Sequence, residues 1–293
     1  MINYQLKKII KNLNNQCPSA SIKCHRIAIN FLVLVMLLIV FGCEEQVDWQ
    51  FQPQENGALV VDAIITNEFK MQEVRLSLSY SGLNGQPEPV SDAEISISDG
   101  QNIFQFMEAP GDAGKYFSEE PFATQLGKIY TLDILWNSQE YSAENEMIAV
   151  FPFNTITFAS YGETDSLTVN EVAPLYSPDE QAMYEINIDW SHISNVEPNR
   201  AKLFFYTFST IDVNELFKPS KETVAFPKGS IVIEKKYSLN EDFAAFYRAL
   251  AMETDWQGGV YDENSASLPT NVSNGGVGFF GVSAVLVDTL IAE

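Results

Sequence analysis

Apolar and polar residues alternate in short runs from residue 58 onward, and this period of two limits the fold more than any other feature of the chain. The run 74–80 alternates in this way, and the run 93–97 repeats the pattern just before an Asp99-Gly100 turn. Successive side chains of a β-strand point to opposite faces of a sheet, so each run predicts a strand with one buried face. An Asp-Gly pair after such a run predicts a hairpin.

The spacing of these runs predicts an all-β protein, mainly β with one amphipathic helix. About seven strands at intervals of about 8–12 residues are typical of an immunoglobulin-like β-sandwich over 58–150, although the Cys-Trp-Cys pattern of a true immunoglobulin domain is missing. The run 59–65 is almost continuously apolar, which predicts a strand buried on both faces. Phe-Pro-Phe at 151–153 predicts a domain boundary. A second β-rich domain, a sandwich or barrel-like, is predicted over 151–293, with strand patterns at 156–158, 167–169, 184–190, 203–208 and 231–237.

One helix is predicted near 239–254. Ser238 is followed three residues later by Glu241, the spacing of a capping box. Apolar residues then recur at positions i, i+3, i+4 and i+7, and Gly258-Gly259 predicts the end of the helix. The periodic residues are Phe243, Phe246, Tyr247 and Leu250. We interpret this aromatic stripe as core packing against the sheet, with a groove for a partner as the alternative.

The first 42 residues have the layout of a bacterial lipoprotein signal peptide. Residues 27–41 are apolar apart from Asn30, and Gly42 and Cys43 follow, with Glu44 and Glu45 directly after them. A basic region, an apolar stretch of about 7–15 residues and a small residue before the cleavage point define a secretory signal. The basic residues before the stretch are Lys7, Lys8, Lys11, Lys23 and Arg26. The pattern predicts cleavage between Gly42 and Cys43 and lipidation of Cys43.

Two other readings of the apolar stretch stay open. A retained transmembrane anchor needs about 20 apolar residues, and the 15 residues of 27–41 fall short unless flanking residues contribute. A buried core helix fits less well, because residues 32–39 are apolar all round and a basic segment precedes them. Phe41 is bulkier than the usual residue at its place in a lipoprotein box. Attachment to a membrane is predicted by both the signal and the anchor.

The charge of the chain argues against nucleic acid as a partner. Its formal net charge is −22, and loss of the five basic residues within 1–42 changes this to −27. Affinity for nucleic acid comes largely from Lys and Arg that displace counterions, so such an acidic surface repels phosphate backbones. A hydrophobic content of 46%, with 20 Phe and 12 Tyr, is too high for a disordered acidic chain and predicts a packed core.

Few residues of the mature chain are suited to catalysis or metal binding. Cys17 and Cys24 lie in the segment predicted to be removed, and Cys43 is the predicted lipid attachment site, so no thiol is left for a disulfide, a metal or a nucleophile. His192 is the only histidine after residue 42. Glu185 and Asp189 fall on one face of a predicted strand, where a catalytic pair is less expected than a solvated face. The sequence predicts no catalytic residue, no metal and no cofactor.

An acidic loop over 255–264 contains two aromatic residues, Trp256 and Tyr261. Calcium binding in an EF-hand needs oxygen ligands at fixed loop positions and a bidentate Glu, and this spacing does not match. We interpret the segment as a solvated loop held by its aromatic side chains. Trp256 and Tyr261 are therefore candidates for contact with a ligand or partner.

Gly276, Gly278 and Gly281 match the formal pattern G-x-G-x-x-G of dinucleotide-binding proteins. That pattern has meaning only between a strand and a helix, with an acidic residue about 20 positions later. Here strand-like residues follow, and the chain ends at Glu293. We expect a hairpin turn at Asn274-Gly275 and glycines that either let two backbones approach closely or curve a strand.

Several of these segments together resemble a known family. They are Leu59 to Asp62, residues 89–93, the Asp99-Gly100 turn, the aromatic helix around Tyr247, residues 271–275 and residues 278–280. In this combination the chain resembles the Bacteroidetes outer-membrane lipoprotein family known as domain of unknown function 4249. Members of that family are similar in lying beside TonB-dependent outer-membrane receptors in the genome. The resemblance therefore implies a role in a surface uptake system, and it implies no active site.

Residues 43–57 are predicted to be an acidic tether between the lipid and the folded part. A dozen extended residues span on the order of 40 Å at about 3.3–3.6 Å each, which would hold a domain clear of the membrane. Glu44 and Glu45 resemble the surface-export signal of Bacteroidetes lipoproteins. Acidic residues also keep a linker solvated, and both interpretations stay open.

The combined features predict a lipid-anchored, non-enzymatic accessory protein of the outer membrane, on the cell surface. Its predicted partners are the membrane, through Cys43, and a TonB-dependent outer-membrane receptor. One alternative is a surface carbohydrate-active hydrolase, since glycosidases need only two carboxylates about 5–9.5 Å apart. Another is a structural lipoprotein of the envelope without a ligand pocket.

Overall fold

The computed structural model describes residues 57–79, 86–154, 156–162, 165–195, 197–211, 213–216, 223–255 and 268–293. The strands are β1 (Leu59–Thr66), β2 (Glu73–Leu78), β3 (Glu88–Pro89), β4 (Glu94–Ser98), β5 (Ile103–Glu108), β6 (Lys115–Ser118), β7 (Ile129–Trp136), β8 (Gln139–Glu146), β9 (Thr157–Ser160), β10 (Ser166–Glu171), β11 (Ala182–Asp189), β12 (Arg200–Thr207), β13 (Phe226–Pro227), β14 (Ile231–Ser238), β15 (Val277–Ser283) and β16 (Val285–Ile291). The helices are the single turn α1 (Val213–Leu216) and α2 (Glu241–Glu253).

The predicted all-β class is confirmed, and the period of two decides which side chains enter the core. Ile95 and Ile97 of β4 are buried, while Glu94 is exposed and Ser96 is half-buried. The predicted hairpin at Asp99-Gly100 joins β4 to β5, which pair in antiparallel fashion. The alternation of apolar and polar residues along the sequence therefore predicts which side chains lie on the buried face of the sheet.

Nine strands form one sheet in the order β15-β1-β2-β6-β5-β4-β7-β8, with β3 paired to β2. The sheet is nearly closed and barrel-like. Its inner face holds a continuous core that includes Ile65, Ile97, Leu132 and Phe280. The prediction of an immunoglobulin-like sandwich over 58–150 did not include β15, which comes from 277–283 and pairs parallel to β1.

The segment just before β15 brings the two ends of this sheet together. Ser273 exchanges backbone and side-chain hydrogen bonds with Ser142 of β8, at 2.8 Å and 2.7 Å. The Asn271 side chain donates to the Glu144 carbonyl of β8 and binds both backbone groups of Phe280. Unpaired backbone groups of an edge strand need partners. These side chains supply partners for β8.

Two smaller sheets make up the second part of the chain. One has the order β13-β10-β9 and the other the order β12-β11-β14-β16. A second core contains residues of both, including Leu167 and Phe226 from the first and Ile186, Ile188 and Val232 from the second. The strands predicted from 156–237 are therefore present. The predicted division of the chain at residue 150 stays a prediction.

Helix α2 confirms the predicted element, but the capping residue was wrong. Asn240, not Ser238, is the N-cap, and its side chain accepts a hydrogen bond from the Phe243 amide at 3.0 Å. Ser238 still belongs to β14, and its hydroxyl donates to the Ile148 carbonyl and accepts from the Ala284 amide. Because strand contacts already engage Ser238, the helix begins two residues later than the capping box predicted.

The end of α2 agrees with the predicted end near residue 254. The last helical residue is Glu253, and the C-cap is Thr254, whose hydroxyl donates to the Leu250 carbonyl at 2.7 Å. Gly258-Gly259 lies outside the described residues. Among the described residues, neither helix combines the length and the apolar character that a bilayer crossing requires.

Candidate functional site

A cleft lies between helix α2 and the outer face of β1 and β15. Its volume is about 520 Å³, and we call it the α2 cleft. The described residues that line it are Val60, Val61, Asp62, Ile64, Phe243, Phe246, Tyr247, Leu250, Leu268, Val277, Gly278 and Phe279. Small-molecule sites typically have volumes of about 300–1,000 Å³, mostly apolar walls and few polar groups. The α2 cleft has these properties.

The sequence of β1 explains the floor of the α2 cleft. Leu59, Val61 and Ala63 point into the first core and are buried. Because side chains alternate between faces, Val60, Asp62 and Ile64 point the other way. The prediction of a strand buried on both faces is therefore correct for the inner face only. On the outer face Asp62 is exposed within the cleft.

Aromatic side chains form one wall of the cleft. The rings of Phe243 and Phe279 are stacked with their centroids 4.8 Å apart, and Phe246 lies 5.1 Å from Phe279. Tyr247 lies 4.9 Å from Phe243 and 5.6 Å from Tyr206. The prediction that the aromatic stripe of the helix packs against the sheet is confirmed. The same packing leaves Phe246, Tyr247 and Leu250 lining the cleft.

The glycines of the formal G-x-G-x-x-G pattern serve this packing. A Cβ at Gly281 would lie 2.3 Å from Cζ of Phe243, so only glycine lets α2 sit directly on β15. Gly278 and Gly281 belong to β15, with Asn274-Gly275 in a turn before it, and no helix follows. A Cβ at Gly278 would lie 2.1 Å from the Val61 carbonyl oxygen, which confirms the expected close approach of two backbones. Among the described strands β15 pairs with β1, in parallel, so the turn at Asn274-Gly275 does not form the predicted hairpin.

Asp62 is the one carboxylate among the described lining residues. It faces Phe279 of β15 on one side and Arg75 of β2 on the other. Burial raises the pKa of Asp62, although the charge of Arg75 lowers it and that of Glu73 adds to the rise. Within the described part of the chain, no side chain or backbone amide donates a hydrogen bond to the Asp62 carboxylate.

The tyrosines beside the cleft stay neutral at physiological pH. Burial raises the pKa of Tyr206 to about 12, with a contribution from the nearby charge of Asp255. Burial also raises the pKa of Tyr247 well above its usual value, and the neighbouring Tyr206 and Asp62 add to the rise. The aromatic wall therefore presents uncharged ring faces, and the negative charge is concentrated at Asp62.

The carboxylates considered for catalysis do not form a pair. Glu185 lies 3.1 Å from Lys202, and Asp189 lies 2.9 Å from Arg200, each across the β11–β12 ladder. The predicted solvated strand face fits Asp189, whose side chain is 38% exposed, but Glu185 is only 16% exposed. His192 is exposed, and its ring nitrogen contacts the Gly229 carbonyl at 3.0 Å.

A different carboxylate, Glu234 of β14, is buried in the second core. It lies between Ile186 and Asp288 in the cross-strand register, and its Oε1 has no hydrogen-bond partner among the described residues. Burial and the charge of Asp288 raise the pKa of Glu234 to about 7, although Lys236 lowers it. An ionised Glu234 is therefore destabilising.

We expect stability to fall as pH rises because of Glu234. Its folded pKa of about 7 exceeds the ordinary 4.5, so the favourable contribution is complete below pH 4.5 and is lost as pH passes 7. The shift corresponds to on the order of 3 kcal/mol. Glu234→Gln should flatten the pH dependence of the free energy of urea unfolding between pH 5 and 8. Glu140→Gln, at an exposed site on β8, is the control; equal slopes for both variants would contradict the assignment.

The residues predicted from sequence for attachment and contact lie outside the described part of the chain. They are Gly42, Cys43, Trp256 and Tyr261. In the part that the structure describes, no group of three or more His, Cys, Asp or Glu side chains could hold a metal ion. Sequence reasoning missed Asp62 as a site residue. The sequence feature that could have identified Asp62 is that it is the single acidic residue in the otherwise apolar run 59–65.

Comparison with known proteins identifies the family of this chain. The model of the family described as domain of unknown function (DUF4249) matches residues 44–288. No curated protein matches the chain. Three segments within the matched region meet at the α2 cleft: residues 60–62, the helix around Tyr247, and residues 278–279.

Proposed function

This chain belongs to the DUF4249 family, and we propose that it is a lipid-anchored accessory protein of the outer membrane that binds a ligand without transforming it. Cys43 carries the lipid, and the acidic tether holds the folded part on the cell surface. A TonB-dependent outer-membrane receptor is the partner in uptake. The α2 cleft is the ligand site.

The α2 cleft is the observation that carries the proposed binding role. Its volume of about 520 Å³ suits a small molecule, and its described walls are apolar apart from Asp62 and the Tyr247 hydroxyl. Binding sites of this kind gain affinity from apolar contact and orientation from a few polar groups. The carboxylates weighed for a hydrolase, Glu185 and Asp189, are each engaged by a cation, which favours binding over hydrolysis.

The lipid anchor is tested by metabolic labelling. Cells that express the full chain are grown with an alkyne analogue of palmitate, and incorporation into the purified protein is measured after coupling to a fluorophore. We expect strong labelling of the wild type and none of Cys43→Ala. Cys24→Ala is the matched control, since it removes a thiol from the segment predicted to be cleaved off. Label retained by Cys43→Ala would contradict anchoring at this residue.

The ligand site is tested with a substitution that fills the cleft. Val277 lines the α2 cleft and is 38% exposed, so Val277→Trp should occupy space with little loss of stability. Small molecules that co-purify from native membranes are quantified by mass spectrometry. We expect at least one species bound to the wild type to fall by about tenfold or more in Val277→Trp.

Val287→Trp is the matched control for that experiment. Val287 lies on β16, is 47% exposed and is not among the lining residues of the cleft. It should retain the bound species at the wild-type level. The same bound species in equal amounts in both variants would show that the cleft is not the ligand site.

The proposed receptor partner is tested separately, by purifying the wild type from native membranes and looking for a TonB-dependent receptor that co-purifies. A protein that is extracted from the membrane without a receptor would contradict the proposed partner.

A further inference from the structure

The chemistry of the α2 cleft specifies the charge of its ligand. We propose that the cleft binds an organic cation whose apolar body packs on the aromatic wall while its ammonium group pairs with Asp62. This inference rests on the proposed binding function and adds the chemical class of the ligand. It follows from three properties of the site: a carboxylate with no partner among the described residues, a local excess of negative charge, and half-buried aromatic side chains.

The first property is the unpaired carboxylate. A carboxylate that is partly removed from water loses hydration, and this loss is costly unless hydrogen bonds or an opposite charge replace it. Asp62 is open to the cleft, yet burial by the surrounding protein raises the pKa of its carboxyl. Yet the described residues give this carboxylate neither a hydrogen bond nor an ion pair within 4 Å. An ammonium group in the cleft would supply both.

The second property is the local charge balance. Arg75 is the cation opposite Asp62 on β2, but its guanidinium donates a hydrogen bond to Glu73 and forms an ion pair with it. The three groups together therefore carry one net negative charge. The other described lining residues of the cleft carry no charge when Tyr247 is neutral. An anionic ligand would be repelled here, and a neutral ligand would leave Asp62 unpaired.

The third property is the aromatic wall. Phe246 and Tyr247 are half-buried and line the same cleft as Asp62. Phe243 and Phe279 also line it, but they are buried and their rings stack on each other. The face of an aromatic ring attracts a cation by roughly 0.5–2 kcal/mol, and more when water is excluded. Rings and a carboxylate together suit an ammonium group attached to an apolar body. A bare metal ion is a poorer fit, because calcium needs six to eight oxygen ligands and the described lining offers one carboxylate.

A matched pair of probes separates charge from shape. Phenethylamine is a cation at pH 7, and 2-phenylethanol is its uncharged counterpart of nearly the same size. Their dissociation constants are measured by ligand-detected NMR titration with the full chain in phosphatidylcholine nanodiscs, and empty nanodiscs are the blank. We expect the amine to bind the wild type about tenfold more tightly than the alcohol, and Val277→Trp to weaken both.

Asp62→Asn tests the role of the carboxylate. We expect it to weaken amine binding by about tenfold and to change alcohol binding by less than twofold. Asp133→Asn is the control for the general negative charge of the protein, since Asp133 is exposed on β7 and is not among the described lining residues of the α2 cleft. It should leave both constants unchanged. Asp62→Glu should restore part of the preference for the amine.

The outcomes distinguish this inference from the proposed function. One outcome is that both probes bind, that Val277→Trp blocks both, and that neither the wild type nor Asp62→Asn prefers the amine. This result would contradict the proposal that the ligand is a cation, and the cleft would remain a ligand site. If neither probe binds and no native molecule depends on the cleft, the proposed binding function fails as well. Urea unfolding of Asp62→Asn verifies folding, and stability no lower than that of the wild type is expected because burial disfavours the charged carboxylate.

Discussion

Replacing Lys236 by alanine is expected to lower the free energy of unfolding by about 3–5 kcal/mol. The Lys236 side chain is fully buried, and its Nζ lies 2.7 Å from Oε1 of Glu180 and 3.0 Å from the Pro152 carbonyl. It also lies 5.3 Å from the ring centre of Tyr184. Removing the cation would leave the Glu180 carboxylate, which is 15% exposed, without its partner. Urea unfolding of the purified full chain measures the loss.

The neighbouring residue provides the control. Lys235 points to the opposite face of β14, where its side chain is 26% exposed and its Nζ lies 3.7 Å from Glu68. Lys235→Ala should cost less than about 1 kcal/mol, as is usual for exposed ion pairs. Lys236→Met combined with Glu180→Gln should recover much of the stability, since no buried charge is left unpaired. A double variant as unstable as Lys236→Ala would mean that lost packing, not lost charge, causes the effect.

Gly278→Ala is expected to destabilise the first sheet by about 4 kcal/mol or more, a loss large enough to prevent folding. Gly278 has a φ of +85°, and a Cβ there would lie 2.1 Å from the Val61 carbonyl oxygen. These two residues are partners in the parallel β1–β15 ladder. An alanine would therefore strain the backbone and push the two strands apart. Yield of folded protein and urea unfolding together measure the effect.

Gly100→Ala separates the two causes. Gly100 has nearly the same φ, +82°, but a Cβ there would meet no atom within 4 Å. Gly100→Ala should lower the free energy of unfolding by only about 1–2 kcal/mol, the energy of placing a side chain in the left-handed conformation. The difference between the two variants measures the crowding at the β1–β15 contact. Equal losses would show that β15 does not press against β1 at this point.

Strand positions could be predicted because the period of two is local. In the runs 74–78 and 93–97, the alternation of apolar and polar residues matches the alternation of more and less buried side chains. The cap of α2 was predicted less well, since Ser238 and Asn240 are both good capping residues. Strand contacts to Ile148 and Ala284 engage Ser238 and leave Asn240 to cap the helix. Contacts between distant residues decided between them.

The candidate site was predictable only in part. The aromatic stripe of α2 and the close approach at Gly278 and Gly281 were both expected from the sequence. Asp62 was not, because a single acid in a strand has many ordinary explanations. Its environment depends on β15, which pairs with β1 although about 200 residues separate them. Pairing between strands so far apart in sequence cannot be predicted from the residue pattern of either strand alone.

The sequence by itself determined the all-β class, the aromatic face of helix α2, the family, and the prediction of a lipid anchor at Cys43. Each depends on neighbours within a few residues, through alternation, helical spacing or a contiguous motif. Only the tertiary structure decided that β15 completes the first sheet and that α2 covers its outer face. Those contacts place Asp62, which has no hydrogen-bond or ion-pair partner among the described residues, beside aromatic rings, because a cleft is formed by surfaces from separate parts of the chain.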